Sequence, residues 1–389
     1  MNEDVFKLVM PKNTYFGVGA VKKVTEAVKS FNAFNVFIVT DRGVINAGLV
    51  APLIEELNST ATKTSIFDET EPEPTVESIE KALEAMEKAG DFDLLIAVGG
   101  GSVMDTAKCM NIVAMNGGSI LDYEDGLENP RPIRKLLPFI AVPTTAGTGS
   151  EASMWAVFTD TKRKLKTGAW DPKLIADVAI LDSSMTKTMP PTLTATTGMD
   201  ALTHAIEAYV SIYANPLTDA YSVQAIKLIA ENLRTTVKDG ENMEARANMI
   251  LASFMAGSAF SNSSLGIVHT MAEAIGGFYR IPHGITNALM LPHVMEFNLS
   301  ANVDKFAKIA DLMGEDVKNY DVNQASKKSV SAVKELSRDI GLPQTLREVG
   351  LKREDIPALV EIAYKWANDS GNPKEVSEEQ LRELYEKAY

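Results

Sequence analysis

The sequence predicts an α/β N-terminal domain with an open, mainly parallel sheet, followed by an all-α C-terminal domain. Up to residue 188, short apolar runs rich in β-branched residues alternate with helical stretches, the pattern of an open parallel sheet. From residue 189 onward, helical periodicity continues without a convincing strand. The length of 389 residues also favours two domains. We therefore expect domains at 1–188 and 189–389.

The elements of the first domain follow from its apolar runs, which are continuous, as in buried parallel strands. The expected strands are 35–41, 63–68, 93–100, 138–145 and 178–182, and the expected helices are 20–30, 44–57, 75–89 and 103–115. Open parallel sheets bind ligands at the carboxyl ends of their strands. Pro190-Pro191 marks the boundary, because proline cannot continue a helix and suits its first turn.

Composition excludes several classes of protein. Apolar residues make up 45% of the chain and charged residues 23%, as in globular proteins. The formal net charge of −14 argues against a nucleic-acid partner, which needs a basic face. The single cysteine, Cys109, excludes an intramolecular disulfide. Acidic residues stand where a signal peptide would be positive, and no apolar run reaches membrane length, so we expect a cytoplasmic protein without a membrane partner.

Two loops at strand ends are candidates for binding a nucleotide. Gly99 to Ser102 follow a strand and open a helix, where glycines let backbone N–H groups approach an anion. Thr144 to Glu151 form a second small, polar loop at the end of the next strand. Asp41, ending a third strand, can accept a hydrogen bond from a ribose 2′-hydroxyl. The alternatives are a tight turn for the glycines and a turn residue for Asp41.

Another pair of glycines, Gly17 and Gly19, also precedes a helix. The third glycine position of a dinucleotide fingerprint is occupied here by Lys22, and the run before the pair is a poor buried strand. We interpret Gly17 and Gly19 as a plain turn.

The four histidines point to a metal. Asp200 and His204 are four residues apart in a helical stretch and so share one face. His269 lies in an apolar helical stretch, and His283 lies in a Pro-His-Gly turn that opens the next helix. One carboxylate and three imidazoles form a donor set for a divalent transition metal. His293 has no such partner and is interpreted as structural.

Five segments carry a resemblance to a known family: GGGSVMDTAK, PTTAGTGSE, GMDALTHAIEAY, GIVHTMAEAIGGFYRIPHG and NALMLPHVMEFN. Together they resemble the iron-containing (group III) alcohol dehydrogenases, in particular the branch of 1,3-propanediol dehydrogenase and lactaldehyde reductase. The resemblance implies an NAD-binding domain, a helical metal-binding and catalytic domain, and a cleft between them that holds NAD and ferrous iron. It also implies a homo-oligomer, a dimer or larger.

The resemblance assigns roles to individual residues. It implies that Asp200, His204, His269 and His283 bind Fe²⁺, although Zn²⁺ would bind these donors at least as tightly by intrinsic affinity. The implied NAD contacts are Asp41, Gly99, Gly100, Gly101, Ser102, Val103, Thr144, Thr145, Ala146, Gly147, Thr148, Val157 and Lys166. Trp155 and Phe260 fall where the family lines its substrate pocket.

Two positions depart from the family pattern. Glu71-Pro72-Glu73-Pro74 stands where the family has an asparagine in a V-P-N-P stretch, which adds a carboxylate near the cofactor. Glu273 stands where the family often has a histidine, four residues after His269 and on the same helix face. A proton relay is our preferred role for Glu273, and packing at the domain interface and metal ligation are the alternatives.

The expected function is that of an NAD-dependent, metal-dependent oxidoreductase. It would transfer a hydride between NAD(H) and a small primary alcohol or diol, or the corresponding aldehyde. Two alternatives stay open. The first is a metal- and NAD-using lyase of the dehydroquinate-synthase-like fold, whose sugar-acid phosphate substrate would need several Lys or Arg residues. The second is a metal- and NAD-binding protein of low turnover, because Glu273 replaces a histidine.

Overall fold

The structure is a computed structural model that describes residues 5–60 and 62–389. The chain divides into two compact units. One is Val9–Met189, and the other is Pro190–Tyr389 together with residues 5–8. No helix within residues 5–60 and 62–389 combines the length and the apolar character that a membrane span requires.

The first unit is built on a six-stranded sheet in which every neighbouring pair is parallel, in the order β1-β8-β5-β4-β2-β3. An antiparallel hairpin, β6-β7, forms a second small sheet. The strands are β1 Asn13–Phe16, β2 Asn35–Val39, β3 Lys63–Phe67, β4 Leu94–Gly99, β5 Phe139–Pro143, β6 Trp155–Asp160, β7 Leu165–Trp170 and β8 Val178–Leu181. The predicted parallel α/β sheet is confirmed.

Helices cover both faces of this sheet, because the central strands are apolar at every position and present alternate residues to opposite sides. Val36 and Ile38 pack into one core, and Phe37 and Val39 pack into the other. The helices of this unit are α1 Val24–Ser30, α2 Arg42–Asn46, α3 Ala51–Asn58, α4 Val76–Ala89 and α5 Gly101–Asn116. Burial on both faces makes the strand ends the places where ligands can approach.

Three local predictions differ from the structure. The helix expected at 44–57 is two helices, α2 and α3, because Gly48 adopts φ +75° and Pro52 occupies the first turn of α3. Strand β1 was not expected, since a short, exposed edge strand carries no apolar run. The hairpin β6-β7 was also missed. Gly17 and Gly19 lie in a turn with positive φ after β1, as interpreted from the sequence.

The second unit is all-helical among the residues described, as predicted. Its helices are α6 Pro191–Val210, α7 Pro216–Lys238, α8 Met243–Ser263, α9 Ile267–Tyr279, α10 His283–Asn298, α11 Val303–Leu312, α12 Val322–Asp339, α13 Ile356–Ala367 and α14 Glu378–Ala388. Helix α6 packs against α7, α8 and α10, and α9 packs against α10 and α13. The helices that carry the predicted metal ligands, α6, α9 and α10, are therefore neighbours in one bundle.

Candidate metal centre and nucleotide-binding loops

Three of the four predicted metal ligands converge in the helical unit. Asp200 on α6, His269 on α9 and His283 at the first position of α10 offer ligand atoms that all lie within 4.8 Å of one another. Asp200 and His269 are buried, and His283 is partly exposed. Their chemistry, one carboxylate oxygen and two imidazole nitrogens, is that of a site for a divalent transition metal.

An amide marks the point at which these three ligand atoms meet. The Nδ2 atom of Asn287, one turn after His283, lies 2.7 Å from Asp200 Oδ1 and 3.1 Å from the Nε2 atoms of both His269 and His283. A carboxylate oxygen and two Nε2 atoms thus face one electropositive group. The residues fit a bound cation, because the same lone pairs would face it.

His204, the fourth predicted ligand, lies beside this group without being part of it. Its ring stacks on that of His269, with centroids 4.6 Å apart, and on that of Phe260, with centroids 4.5 Å apart. His204 and Phe260 are both buried. The structure therefore places the predicted fourth ligand against His269, and one predicted substrate-pocket residue against that fourth ligand.

Several carboxylates set the charge around His269. Burial lowers the pKa of His269, but the hydrogen bond to Glu207 and the negative charges of Glu207, Asp200 and Glu273 outweigh burial, so the pKa lies above its ordinary value. Glu273 is half-buried on α9, one turn after His269. The i, i+4 spacing puts Glu273 and His269 on the same face of α9.

The two glycine- and threonine-rich loops of the first unit lie against each other. The amide of Thr144 donates to the carbonyl of Gly99 at 3.0 Å. A Cβ atom at Gly100 would lie 3.1 Å from the side chain of Thr145, and one at Gly101 would lie 2.6 Å from Cγ2 of Thr148. The absence of a side chain at Gly100 and Gly101 therefore allows the two loops to pack closely, and the role of the glycines in binding an anion stays a prediction.

The first loop leads into the N-terminus of α5. Gly100 is the N-cap residue and offers no side chain to the first turn. The first N–H groups of a helix lack intrahelical acceptors and carry partial positive charge. Ser102 and Val103 belong to this turn, and the Ser102 hydroxyl lies 3.2 Å from the amide of Glu73. This turn fits an anionic group such as a pyrophosphate.

Lys108, on α5, links this helix to the second loop through hydrogen bonds. Its ammonium donates to the carbonyls of Ser150, Ser153 and Trp155 at 2.7 to 2.9 Å, and to the Ser150 hydroxyl at 3.1 Å. Burial lowers the pKa of Lys108 to about 8, although Asp105 and Glu151 act in the opposite direction. The sequence pattern gave no indication of this anchor.

Asp41 has a structural role at the end of β2. It is the N-cap of α2, and its Oδ1 accepts a hydrogen bond from the amide of Val44 at 2.9 Å. The turn role considered from the sequence is therefore present. The side chain is only partly buried, and a carboxylate can accept further hydrogen bonds at its other oxygen.

The remaining predicted cofactor residues lie on the hairpin. Val157 is on β6 and Lys166 is on β7, opposite Thr159. The ammonium of Lys166 pairs with Glu73 at 2.5 Å, so the carboxylate that departs from the family pattern contacts a predicted NAD-binding residue. Trp155, the second predicted substrate-pocket residue, begins β6 and is half-buried. A period-two pattern around the polar TKRK turn was the signal for this hairpin.

Comparisons with known proteins identify the family of this chain. The iron-containing alcohol dehydrogenase family matches residues 11–183, and the C-terminal part of the Fe-containing alcohol dehydrogenase family matches residues 194–389. The chain belongs to the iron-containing alcohol dehydrogenase family. The resemblance inferred from the sequence motifs is thereby confirmed.

Individual members of the iron-containing alcohol dehydrogenase family are similar over the whole length. The chain is 41% identical to 1,3-propanediol dehydrogenase of Citrobacter freundii, covering 100% of both chains. It is 38% identical to NAD-dependent methanol dehydrogenase of Bacillus methanolicus, covering 97% of this chain and 98% of the relative. A crystal structure of 1,3-propanediol oxidoreductase superposes with a TM-score of 0.94 at 40% identity, covering 99% of this chain and 100% of the other.

Proposed function

We propose that this protein is an NAD-dependent, metal-dependent oxidoreductase that interconverts a small primary alcohol or diol and its aldehyde. The observation that carries the proposal is the convergence of Asp200, His269 and His283 in a chain that belongs to the iron-containing alcohol dehydrogenases. The similar proteins named above act on 1,3-propanediol and methanol, which supports a small alcohol as the substrate.

The metal site consists of Asp200, His204, His269 and His283. The first, third and fourth of these converge, and the ring of His204 lies against that of His269. When bound, the cation supplies a Lewis acid for the substrate oxygen, and NAD supplies the hydride acceptor. Fe²⁺ is the ion of the family, and Zn²⁺ suits the same donors.

NAD is held by the first unit. The pyrophosphate binds at the start of α5, to Gly99, Gly100, Gly101, Ser102 and Val103. The second loop, Thr144 to Thr148, also binds the cofactor. Asp41 accepts a hydrogen bond from the ribose 2′-hydroxyl and repels a 2′-phosphate, which selects NAD over NADP. Val157 and Lys166 provide further contacts from the hairpin, with Glu73 balancing the charge of Lys166.

Glu273 accepts the proton of the alcohol, directly or through a water or a cofactor hydroxyl. Its position one turn after His269 supports this role, because it keeps the carboxylate near the reacting oxygen without placing it among the three converging ligand atoms. Phe260 contacts the substrate from its position against the His204 ring, and the substrate contact expected for Trp155 stays a prediction.

We also propose a separate role for each half of the chain. Residues 1–188 form the NAD-binding domain, and residues 189–389 form the metal-binding and catalytic domain. We further propose that the enzyme works in the cytoplasm as a homo-oligomer, a dimer or larger, with a small-molecule alcohol or aldehyde as its partner and no nucleic acid or membrane.

Metal removal tests this function. The protein is stripped with a chelator under anaerobic conditions, reloaded with Fe²⁺, and assayed for NADH formation with 1,3-propanediol and other small primary alcohols. Activity should vanish on stripping and return on reloading. Stripped protein that oxidises alcohols at the full rate would contradict the proposal. A metal-loaded protein that accumulates no NADH with any alcohol would favour the lyase or the low-turnover binding protein.

A matched pair of histidine variants sharpens this test. His283→Ala should lose most of its metal while keeping its helical circular dichroism, because it removes one converging ligand. His293→Gln changes a histidine on the same helix, α10, outside the proposed ligand set, and should retain the metal. Equal metal content in the two variants would remove His283 from the ligand set.

A further inference from the structure

A buried carboxylate next to the candidate metal centre has no role in the function described so far. Glu207 lies on α6, three residues after His204 and seven after Asp200, so the three side chains share one face of the helix. Its side chain is 4% exposed. A carboxylate is rarely buried to this extent unless its oxygens are paired.

Both oxygens of Glu207 are paired with the first turn of α9. Oε2 lies 2.5 Å from Nδ1 of His269, and Oε1 accepts a hydrogen bond from the amide of Val268 at 2.7 Å. The N-cap residue of α9 is Gly266, which has no side chain for this purpose. Glu207 therefore caps α9 from another helix and places its negative charge at the positive helix end.

The two nitrogens of the His269 ring thus have different surroundings. Nδ1 faces a carboxylate, which accepts hydrogen bonds and, when ionised, cannot donate them. Nδ1 therefore carries a proton, and Nε2 is the nitrogen left to bind a cation. Nε2 is also the atom that lies 3.1 Å from the amide at the meeting point of the ligands.

We propose that Glu207 is a positioning residue of the metal centre, holding His269 in the tautomer and orientation that direct Nε2 toward Asp200 and His283. The inference rests on the metal centre of the proposed function and adds a residue to it. Carboxylates that hold a ligating histidine in this way orient the ring and raise its basicity, and their loss typically weakens metal binding by about 10- to 100-fold.

The backbone around Glu207 is shaped for this contact. A Cβ atom on Gly266 would lie 2.8 Å from Oε1 of Glu207 and 3.0 Å from Oδ1 of Asn372. Any side chain at position 266 would therefore displace the carboxylate from the first turn of α9. The need for glycine here follows from the close approach of Glu207, since Gly266 has an ordinary extended conformation.

Glu207→Gln is the variant that separates positioning from packing. Glutamine has the same shape, and its carbonyl oxygen can keep the hydrogen bond from Val268. Its NH₂ group then faces Nδ1 of His269 and donates to it, which moves the ring proton to Nε2 and blocks that atom as a ligand. Helix α9 keeps its cap, so the fold should survive while metal binding suffers.

The experiment measures Zn²⁺ affinity of the stripped full-length protein by competition with a chromophoric chelator. Glu207→Gln should bind Zn²⁺ at least about 10-fold more weakly than the unaltered protein. Glu124→Gln is the control: Glu124 is also buried, but it pairs with Arg163 in the α/β unit. Its Zn²⁺ affinity should stay unchanged. A loss below tenfold in folded Glu207→Gln would overturn the proposal.

A spectroscopic readout tests the tautomer itself. In protein labelled with ¹⁵N-histidine, the His269 signals, assigned with His269→Asn, should report a proton on Nδ1 in the unaltered enzyme and on Nε2 in metal-free Glu207→Gln. An unchanged tautomer would overturn the proposal. Should Glu207→Gln fail to fold, Gly266→Ala displaces the carboxylate without removing it and must also weaken Zn²⁺ binding. An unaltered protein that binds no metal would instead refute the proposed function.

Discussion

The close packing of the two cofactor loops can be tested by adding and removing single methyl groups. In Gly101→Ala, the new Cβ would lie 2.6 Å from Cγ2, 3.0 Å from Oγ1 and 3.1 Å from Cβ of Thr148. Overpacking of this kind costs about 1–3 kcal/mol. The preference of helices for alanine over glycine offsets up to about 1 kcal/mol of that cost. With the full offset, we expect the free energy of unfolding to fall by up to about 2 kcal/mol.

Thr148→Ser supplies the second arm of a double-mutant cycle. Serine removes Cγ2, the nearest atom to the new Cβ, and keeps the hydroxyl that accepts a hydrogen bond from the amide of Ser150 at 3.2 Å. In the Thr148→Ser background, Gly101→Ala should therefore cost at least about 1 kcal/mol less, within the coupling range of contacting residues. NAD affinity should follow the same order, since both loops belong to the proposed cofactor site.

Urea denaturation followed by circular dichroism gives the four free energies, and fluorescence titration with NAD gives the four dissociation constants. Thr64→Ser, at the amino end of the edge strand β3, serves as the control, and its effect should add to that of Gly101→Ala. Additive effects of Gly101→Ala and Thr148→Ser would refute the loop contact.

Three further predictions concern single carboxylates. Burial raises the pKa of Glu151 from 4.5 to about 7, so the folded state retains a proton that the unfolded state loses as the pH rises. The free energy of unfolding should therefore fall by about 3 kcal/mol between pH 4.5 and pH 7 because of Glu151. When the free energy of unfolding from urea denaturation is plotted against pH, Glu151→Gln should show a smaller decrease over this range than the unaltered protein. Parallel plots for the two proteins would contradict the prediction. Asp41→Gly should narrow or reverse a preference for NAD over NADP of at least about tenfold in kcat/KM, roughly 1.4 kcal/mol, and equal efficiencies in the unaltered enzyme would refute the assignment. Glu273→Gln should lower kcat by about 100-fold or more, change its pH dependence and leave the metal content unchanged. Loss of metal from that variant would indicate ligation instead, and an unchanged kcat would leave a packing role.

Features of the site that depend on spacing within one element were readable from the sequence. Asp200 and His204 share a face of α6 because four residues make about one helical turn. The glycines after β4 were recognised because a strand and a helix on either side leave a short loop at the sheet edge. In both cases the signal lies within a short stretch of the sequence.

Two contacts of the site that depend on how separate helices meet were not predicted from the sequence. Glu207 and His269 are 62 residues apart in sequence, and only the packing of α6 against the start of α9 joins them. The role of Asn287 likewise requires α6, α9 and α10 together. The ring of His204 stacks on that of His269, and its role as the fourth ligand stays a prediction.

Some secondary structure was missed because local signals were weak or misleading. The apolar periodicity of 44–57 hides a break at Gly48, whose left-handed backbone ends the first helix. The strand β1 is short and mostly exposed, and it is held mainly by pairing with β8. Tertiary pairing, which no local pattern records, decides such elements.

Direct transfer of hydrogen from substrate to cofactor tests the central claim. The iron-loaded enzyme is incubated with NAD and 1,3-propanediol carrying deuterium at both carbinol carbons, and the NADH formed is analysed by proton NMR. An alcohol dehydrogenase should place one deuterium at nicotinamide C4 for each aldehyde produced. Deuterium lost to the solvent, or product formed without NADH accumulating, would contradict hydride transfer between an alcohol and NAD at this site.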